Sequence, residues 1–120
     1  MATPTRLQVH QSKKRIPMKT IRSLANRIAK KFNPEEIILF GSHAYGKPTE
    51  WSDVDLLVVM DTPKGEIETS LEIVKAFPDI TFSMDILARS RSFIRKRKKI
   101  GDRFIQEITE KGKILYARDN

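Results

Sequence analysis

Residues 41–60 read GSHAYGKPTEWSDVDLLVVM, and their reading decides what the rest of the chain must build. Gly41 and Ser42 end a short apolar run, and Gly46, Pro48 and Thr49 mark a turn-rich loop. Asp53 and Asp55 then open a second apolar run, VDLLVVM at 54–60, which reads as a strand. Side chains two apart on a strand share a face, so both carboxylates point one way and Val54 the other. Paired like charges are costly without a cation between them. A divalent magnesium ion, or manganese, accepts such an all-oxygen donor set. Glycine lets a phosphate approach the backbone closely, a short helix opening after it would offer free N–H groups, and the Ser42 hydroxyl adds a donor. A Gly-Ser after a strand is usually just a turn, and an Asp-x-Asp usually a solvated strand end. Together, between two apolar strands, they point to phosphate and metal chemistry.

Outward from this stretch, the chain alternates helices and strands. Pro17 suits a first helical position. Met18, Ile21, Leu24, Ala25, Ile28, Ala29 and Phe32 then recur at helical spacing, and Asn33-Pro34 stops the helix. Residues 35–40 (EEIILF) read as a buried strand. After the second strand, Thr62 is a candidate cap for a helix starting near Pro63, with Ile67, Leu71, Val74 and Phe77 as its buried stripe. Residues 80–87 (ITFSMDIL) alternate with period two, which places Asp85 on a strand, opposite in facing to Met84 and Ile86. If that strand lies beside the second, Asp53, Asp55 and Asp85 converge. Three aspartates can hold two metals about 3.5–4 Å apart, and Asp85 is then the natural general base or second-metal ligand for an attacking hydroxyl. Ser90 or Ser92 would cap a following helix that touches the core through Phe93 and Ile100, and Gly101 interrupts it. Phe104, Ile105 and Ile108 form another amphipathic helix, Gly112 ends it, and residues 113–117 make a last strand. His43 reads as a helix-start surface residue and Trp51 as packing over the loop, with base stacking the lesser alternative.

Composition bounds the class. At 120 residues the chain is one small domain with room for a single core, expected at 17–120, preceded by a mobile basic arm at 1–16 that includes Lys13, Lys14 and Arg15. No apolar stretch approaches the roughly 20 residues of a membrane span. Cysteine is absent, which excludes disulfides and thiolate metal sites and fits a cytoplasmic protein. The net charge of +8 is unevenly spread: no acid precedes Glu35, and residues 89–99, bounded by Arg89 and Lys99, carry seven bases and no acid. An acidic centre between basic ends suits a metal site serving a polyanionic substrate or partner. The plainer reading of the basic run is a solvated surface, and nucleic acid is a secondary candidate partner for it.

The pattern GSHAYGKPTEWSDVDL resembles the signature G-S-x-A-x-G-x(5)-S-D-x-D-L of the DNA polymerase β-like nucleotidyltransferases, and most closely the minimal nucleotidyltransferases among them. The resemblance runs from the helix before Phe40 to the C-terminal residues. It implies an α/β (α+β) fold, a small mixed β-sheet flanked by helices. It implies that Gly41 and Ser42 bind the phosphates of a nucleoside triphosphate, that Asp53 and Asp55 hold Mg2+ (or Mn2+), and that Asp85 completes the site. The implied reaction is transfer of a nucleoside monophosphate, AMP from ATP, to a hydroxyl. Small members often act as antitoxins that place AMP on a tyrosine of a HEPN-domain toxin partner. Where many relatives carry arginine this chain has Tyr45, which brings no charge and bears on nucleotide choice. The competing class is an inert module that masks its partner or grips nucleic acid. Three retained carboxylates count against it.

Overall fold

A computed structural model of the chain describes residues 15–119. Residues 1–14, most of the expected arm, lie outside the described residues; Ile16 packs against the body of the protein. The described elements are α1 (Met18–Phe32), β1 (Glu36–Phe40), α2 (Ser42–Tyr45), β2 (Val54–Val59), α3 (Glu66–Lys75), β3 (Met84–Arg89), α4 (Arg91–Lys99), α5 (Arg103–Lys111) and β4 (Lys113–Ala117). The strands form a four-stranded sheet in the order β3-β2-β1-β4. β1 is antiparallel to both β2 and β4, while β2 and β3 run parallel. α3 supplies the crossover that a parallel pair needs. The fold is the expected mixed α/β sheet flanked by helices.

The sheet is covered on both faces, and this explains the unbroken apolar runs of β1 and β2. Ile37, Leu39, Val54, Leu56 and Val58 face α1 and α3. Ile38, Phe40, Leu57 and Val59 face α4 and α5. The chain therefore builds two apolar clusters on opposite sides of the sheet rather than one core. α1 seals the first with Ile21, Leu24, Ala25, Ile28 and Ala29, and ends at Asn33, whose left-handed backbone (φ 49°) turns its N–H onto the Ala29 carbonyl at 2.9 Å.

Four local expectations change. β3 begins at Met84 rather than at 80, because β2, its ladder partner among the described residues, begins at Val54, opposite Met84. Ile80 and Phe82 instead cover the first cluster. α3 begins at Glu66 after Gly65, so Thr62 is not its cap. Within the helix the buried residues are Thr69 and Ile73; of the expected stripe, Val74 and Phe77 pack on the first cluster, while Ile67 and Leu71 are 75% and 50% exposed. Thr69 and Ser70 can face inward because each hydroxyl donates to a carbonyl one turn back, at 2.8 and 2.7 Å, and Ser70 Oγ also accepts the Ala88 N–H of β3. On α4, which Ser90 caps through the Phe93 N–H, Ile94 is buried and Ile100 is exposed. Gly112 ends α5 with an ordinary negative φ. Glycine is needed there for closeness: a Cβ would collide with the Ile108 carbonyl and lie 2.6 Å from Ile38 Cγ2.

Candidate active site

The mixed topology brings three chain segments to one end of the sheet. The end of β1 and the beginnings of β2 and β3 lie together, because β1 runs opposite to the other two. Phe40 is the ladder partner of Asp55, and Asp55 is the ladder partner of Asp85. Asp55 and Asp85 occupy equivalent positions on neighbouring strands, and both alternate onto the face that carries Leu57 and Leu87. Asp53 lies just before β2 and is exposed.

Gly41 sits against this pair. Its φ of 74° is a conformation side chains rarely adopt, and a Cβ there would collide with Asp55 Oδ2 and lie 3.2 Å from Asp55 Cγ. The backbone thus touches the carboxylate. From Gly41 the chain enters α2, whose first N–H groups, those of Ser42 and His43, have no carbonyl of their own helix to bond. The following loop is pinned before Asp53: Ser52 Oγ accepts the Thr49 N–H at 2.9 Å, and Thr49 Oγ1 accepts the Trp51 N–H at 3.2 Å.

Electrostatics single out Asp55. Its carboxyl is pushed up from 3.8 to about 6, first by burial and then by the charges of Asp85 and Asp53. All three carboxylates therefore belong to one electrostatic cluster. They are not closed into one ligand set: among the described residues, no three His, Asp or Glu side chains are gathered to hold a metal. Like charges with no cation between them have reason to stay apart. The donor chemistry, carboxylate oxygens with no sulfur or imidazole, nonetheless fits a hard divalent cation.

Two sequence readings are corrected at the site. His43 is buried, with Nε2 facing the Ser52 carbonyl at 3.4 Å, so it ties α2 to the loop rather than lying on the surface. Trp51 stays 66% exposed instead of packing down. Phe40 and Phe104 went unremarked as neighbours of the site. Phe40 stands beside Asp55 across the ladder, and the Phe104 ring meets it edge-on, centroids 5.7 Å apart at 85°. Only the spatial pairing of α5 with β1 reveals this, and periodicity carries no such information. The basic run is also partly spent on structure. Arg91 pairs with Glu35 and Glu36, Arg97 with Asp102, and Arg89 with Glu66.

Comparison with known proteins identifies the family and the fold. Residues 21–116 match the family described as nucleotidyltransferase domain. A Methanocaldococcus jannaschii protein, a proposed protein adenylyltransferase, is 31% identical over 100 residues that cover 82% of this chain and 96% of that one. Two solved structures share the fold. One is a proposed nucleotidyltransferase from Sulfolobus solfataricus, with a TM-score of 0.59 at 21% identity over 90% of this chain and 86% of that one. The other is a toxin–antitoxin structure with AMP-PNP, with a TM-score of 0.53 at 18% identity over 82% of this chain and 74% of that one.

Proposed function

Because the chain belongs to the nucleotidyltransferase domain family, we propose that this nucleotidyltransferase moves AMP from ATP to the hydroxyl of a protein partner, a tyrosine of a HEPN-type toxin, and so acts as an antitoxin. The in-register Asp55–Asp85 pair, with Gly41 packed against Asp55, is the observation that carries the reading. The adenylyltransferase name of one relative supports AMP as the transferred group, and the toxin–antitoxin structure supports a protein partner.

In this reading Gly41 and the N–H groups after it hold the triphosphate, with Ser42 Oγ as a further donor. Asp53, Asp55 and Asp85 would hold Mg2+ or Mn2+, which supplies charge stabilisation to the phosphoryl oxygens when bound. Asp85, on the exposed side of the pair, takes the proton of the acceptor hydroxyl. The acceptor oxygen bonds to the α-phosphorus as the bond from that phosphorus to the bridging β-oxygen breaks, and pyrophosphate leaves. Gly41 and the ladder fix the relative position of phosphate and carboxylates, so the site contributes mainly orientation and electrostatics.

The test is to co-express the chain with the product of its adjacent gene and incubate the pair with α-labelled ATP and magnesium. Label should appear on the partner, be lost with γ-labelled ATP, and vanish in Asp53→Asn. Tight binding of the partner with no label from any of the four triphosphates would refute transfer and establish the masking module in its place.

A further inference from the structure

α5 packs on the face of the sheet toward which Asp55 and Asp85 alternate. Phe104, in its first turn, is tied to Phe40, the ladder partner of Asp55. Gly112, just past its last turn, abuts Ile38 and the Leu39 carbonyl, and Lys113 pairs with Leu39. Both ends of the helix are thus anchored to the last residues of β1, immediately before Gly41. Its inner stripe, Ile105 and Ile108, is buried, but Phe104 remains 52% exposed. A cleft of about 410 Å³, lined by Arg103, Phe104, Gln106, Glu107, Glu110 and Lys111, runs along its outer flank.

A half-exposed phenylalanine at the rim of a polar site calls for an explanation. Half of the ring's surface stays wet, although its edge is held by Phe40 in the T-shaped arrangement that aromatic pairs favour. The ring is therefore pre-positioned while part of it stays available. Directly opposed residues of an antiparallel pair have Cα atoms roughly 4.5–5.5 Å apart, so Phe40 links this ring to the strand position of Asp55.

We propose that Phe104 is the platform on which the base of the nucleoside triphosphate stacks, and that this contact sets how tightly the nucleotide is held. The proposal rests on the reading of Gly41, Ser42 and the three aspartates as the triphosphate site. With the phosphates at Gly41 and the reacting phosphorus at Asp55, the nucleoside extends past Phe40 onto Phe104. Arg103, beside it in sequence and exposed on the same cleft, can lie against the base edge or ribose. Stacking on a ring is tolerant of base identity, because every base has a π-face. The platform therefore confers affinity for a nucleoside more than a choice among bases.

The experiment compares binding of ATP with binding of inorganic tripolyphosphate, which carries the phosphates without a base, in the presence of magnesium. Phe104→Ala should raise the Kd for ATP by roughly ten- to hundredfold and leave that for tripolyphosphate unchanged. Phe104→Trp should retain ATP affinity, and Phe104→Leu, which keeps apolar volume without a π-face, should not. Equal loss of both ligands in Phe104→Ala, or full ATP affinity in Phe104→Leu, would overturn the platform. So would a selective loss of ATP in Trp51→Ala with none in Phe104→Ala, which would move the base to the opposite side of the site. If Phe104→Ala raises only the KM for the acceptor, the ring serves the acceptor and the base assignment is wrong. If the wild-type protein binds neither ATP nor tripolyphosphate, the triphosphate site itself is refuted and the platform falls with it.

Discussion

Asp55→Asn should stabilise the metal-free protein while abolishing transfer. The Asp55 carboxyl lies at about 6 against an ordinary 3.8, raised by burial and then by Asp85 and Asp53. A carboxyl with a raised folded value binds its proton more tightly in the fold, so its ionisation opposes folding. That cost is complete above the folded value, fades as pH falls through about 6, and is gone below 3.8. The shift alone corresponds to about 3 kcal/mol. Solvent screening of a side chain that is only partly buried reduces it to roughly 1–2 kcal/mol. Asparagine keeps the shape and cannot ionise. Near pH 8, in chelator, the variant should be more stable by that amount, or several degrees in Tm at about 4–8 °C per kcal/mol. Near pH 3 the two proteins should unfold together. Asp102 carries the opposite sign: its carboxyl is held low by the Ile105 N–H and then by Arg97, so its contribution is present at neutral pH and lost in acid. The acid limb of either protein alone is therefore composite, and the difference between them isolates Asp55. Saturating magnesium should reverse the order, since a ligand at a hundredfold its Kd adds about 2.7 kcal/mol to whichever protein binds it. Urea titrations across this pH range, with and without magnesium, provide the measurement. A stability gap that does not change with pH, or a variant less stable than wild type near pH 8 in chelator, would refute the view that these three carboxylates form a repulsive cluster awaiting a cation.

Gly41→Ala should cost about 1–3 kcal/mol from its strained φ and the collision with Asp55, and should cost less in an Asp55→Ala background; equal costs in both, by chemical denaturation, would mean the two do not touch. Ser90→Ala removes the cap on the Phe93 N–H and should lower stability by about 1 kcal/mol, read as a shift in urea midpoint at constant slope; no shift would assign α4's anchoring to Ile94 alone. Ile94→Ala should cost roughly 2–5 kcal/mol by opening the second cluster, whereas Ile100→Ala, at an exposed position, should stay within about 0.5 kcal/mol; the reverse order would place the wrong isoleucine in the core.

How much of this was legible in the sequence differed from element to element. β1 and β2 declare themselves because burial on both faces leaves their runs apolar except at one end, at Glu36 and Asp55. Asp53 and Asp55 follow from their spacing, and Asp85 from the alternation around it, but no local pattern says which strand lies beside β2. The ladder decides that, and with it whether Asp85 joins the site. Along α3 and just past it, Val74 and Phe77 pack on the first cluster as their spacing predicts, whereas hydrophobicity is a poor guide to the first turns. Thr69 and Ser70 turn inward with their hydroxyls bonded inside the helix, and the larger Ile67 and Leu71 stay out. His43 misled for a related reason, since a titratable ring can be buried once a backbone carbonyl faces it. Phe104 reads as core from its spacing alone, and only the tertiary placement of α5 leaves it half exposed.

The position of the site follows from the one unusual feature of the sheet. β2 is antiparallel to one neighbour and parallel to the other, so the exit of β1 and the entries of β2 and β3 share an edge. An all-antiparallel meander would have sent Asp85 to the opposite end of the sheet from Asp55. The α3 crossover is therefore a requirement of the chemistry as much as of the packing: by returning the chain to the starting end it sets the second carboxylate beside the first. The same connection explains why Asp55 is the strained member. It alone has a strand on either side, with Gly41 pressed against its carboxylate, while Asp53 and Asp85 lie toward solvent. Under the proposed function, a cation at this end of the sheet would relieve most repulsion at Asp55, while Asp85, which is exposed, would be open to an acceptor hydroxyl. Depth in the sheet thus distinguishes the half-buried Asp55 from the exposed Asp85 before any ligand arrives.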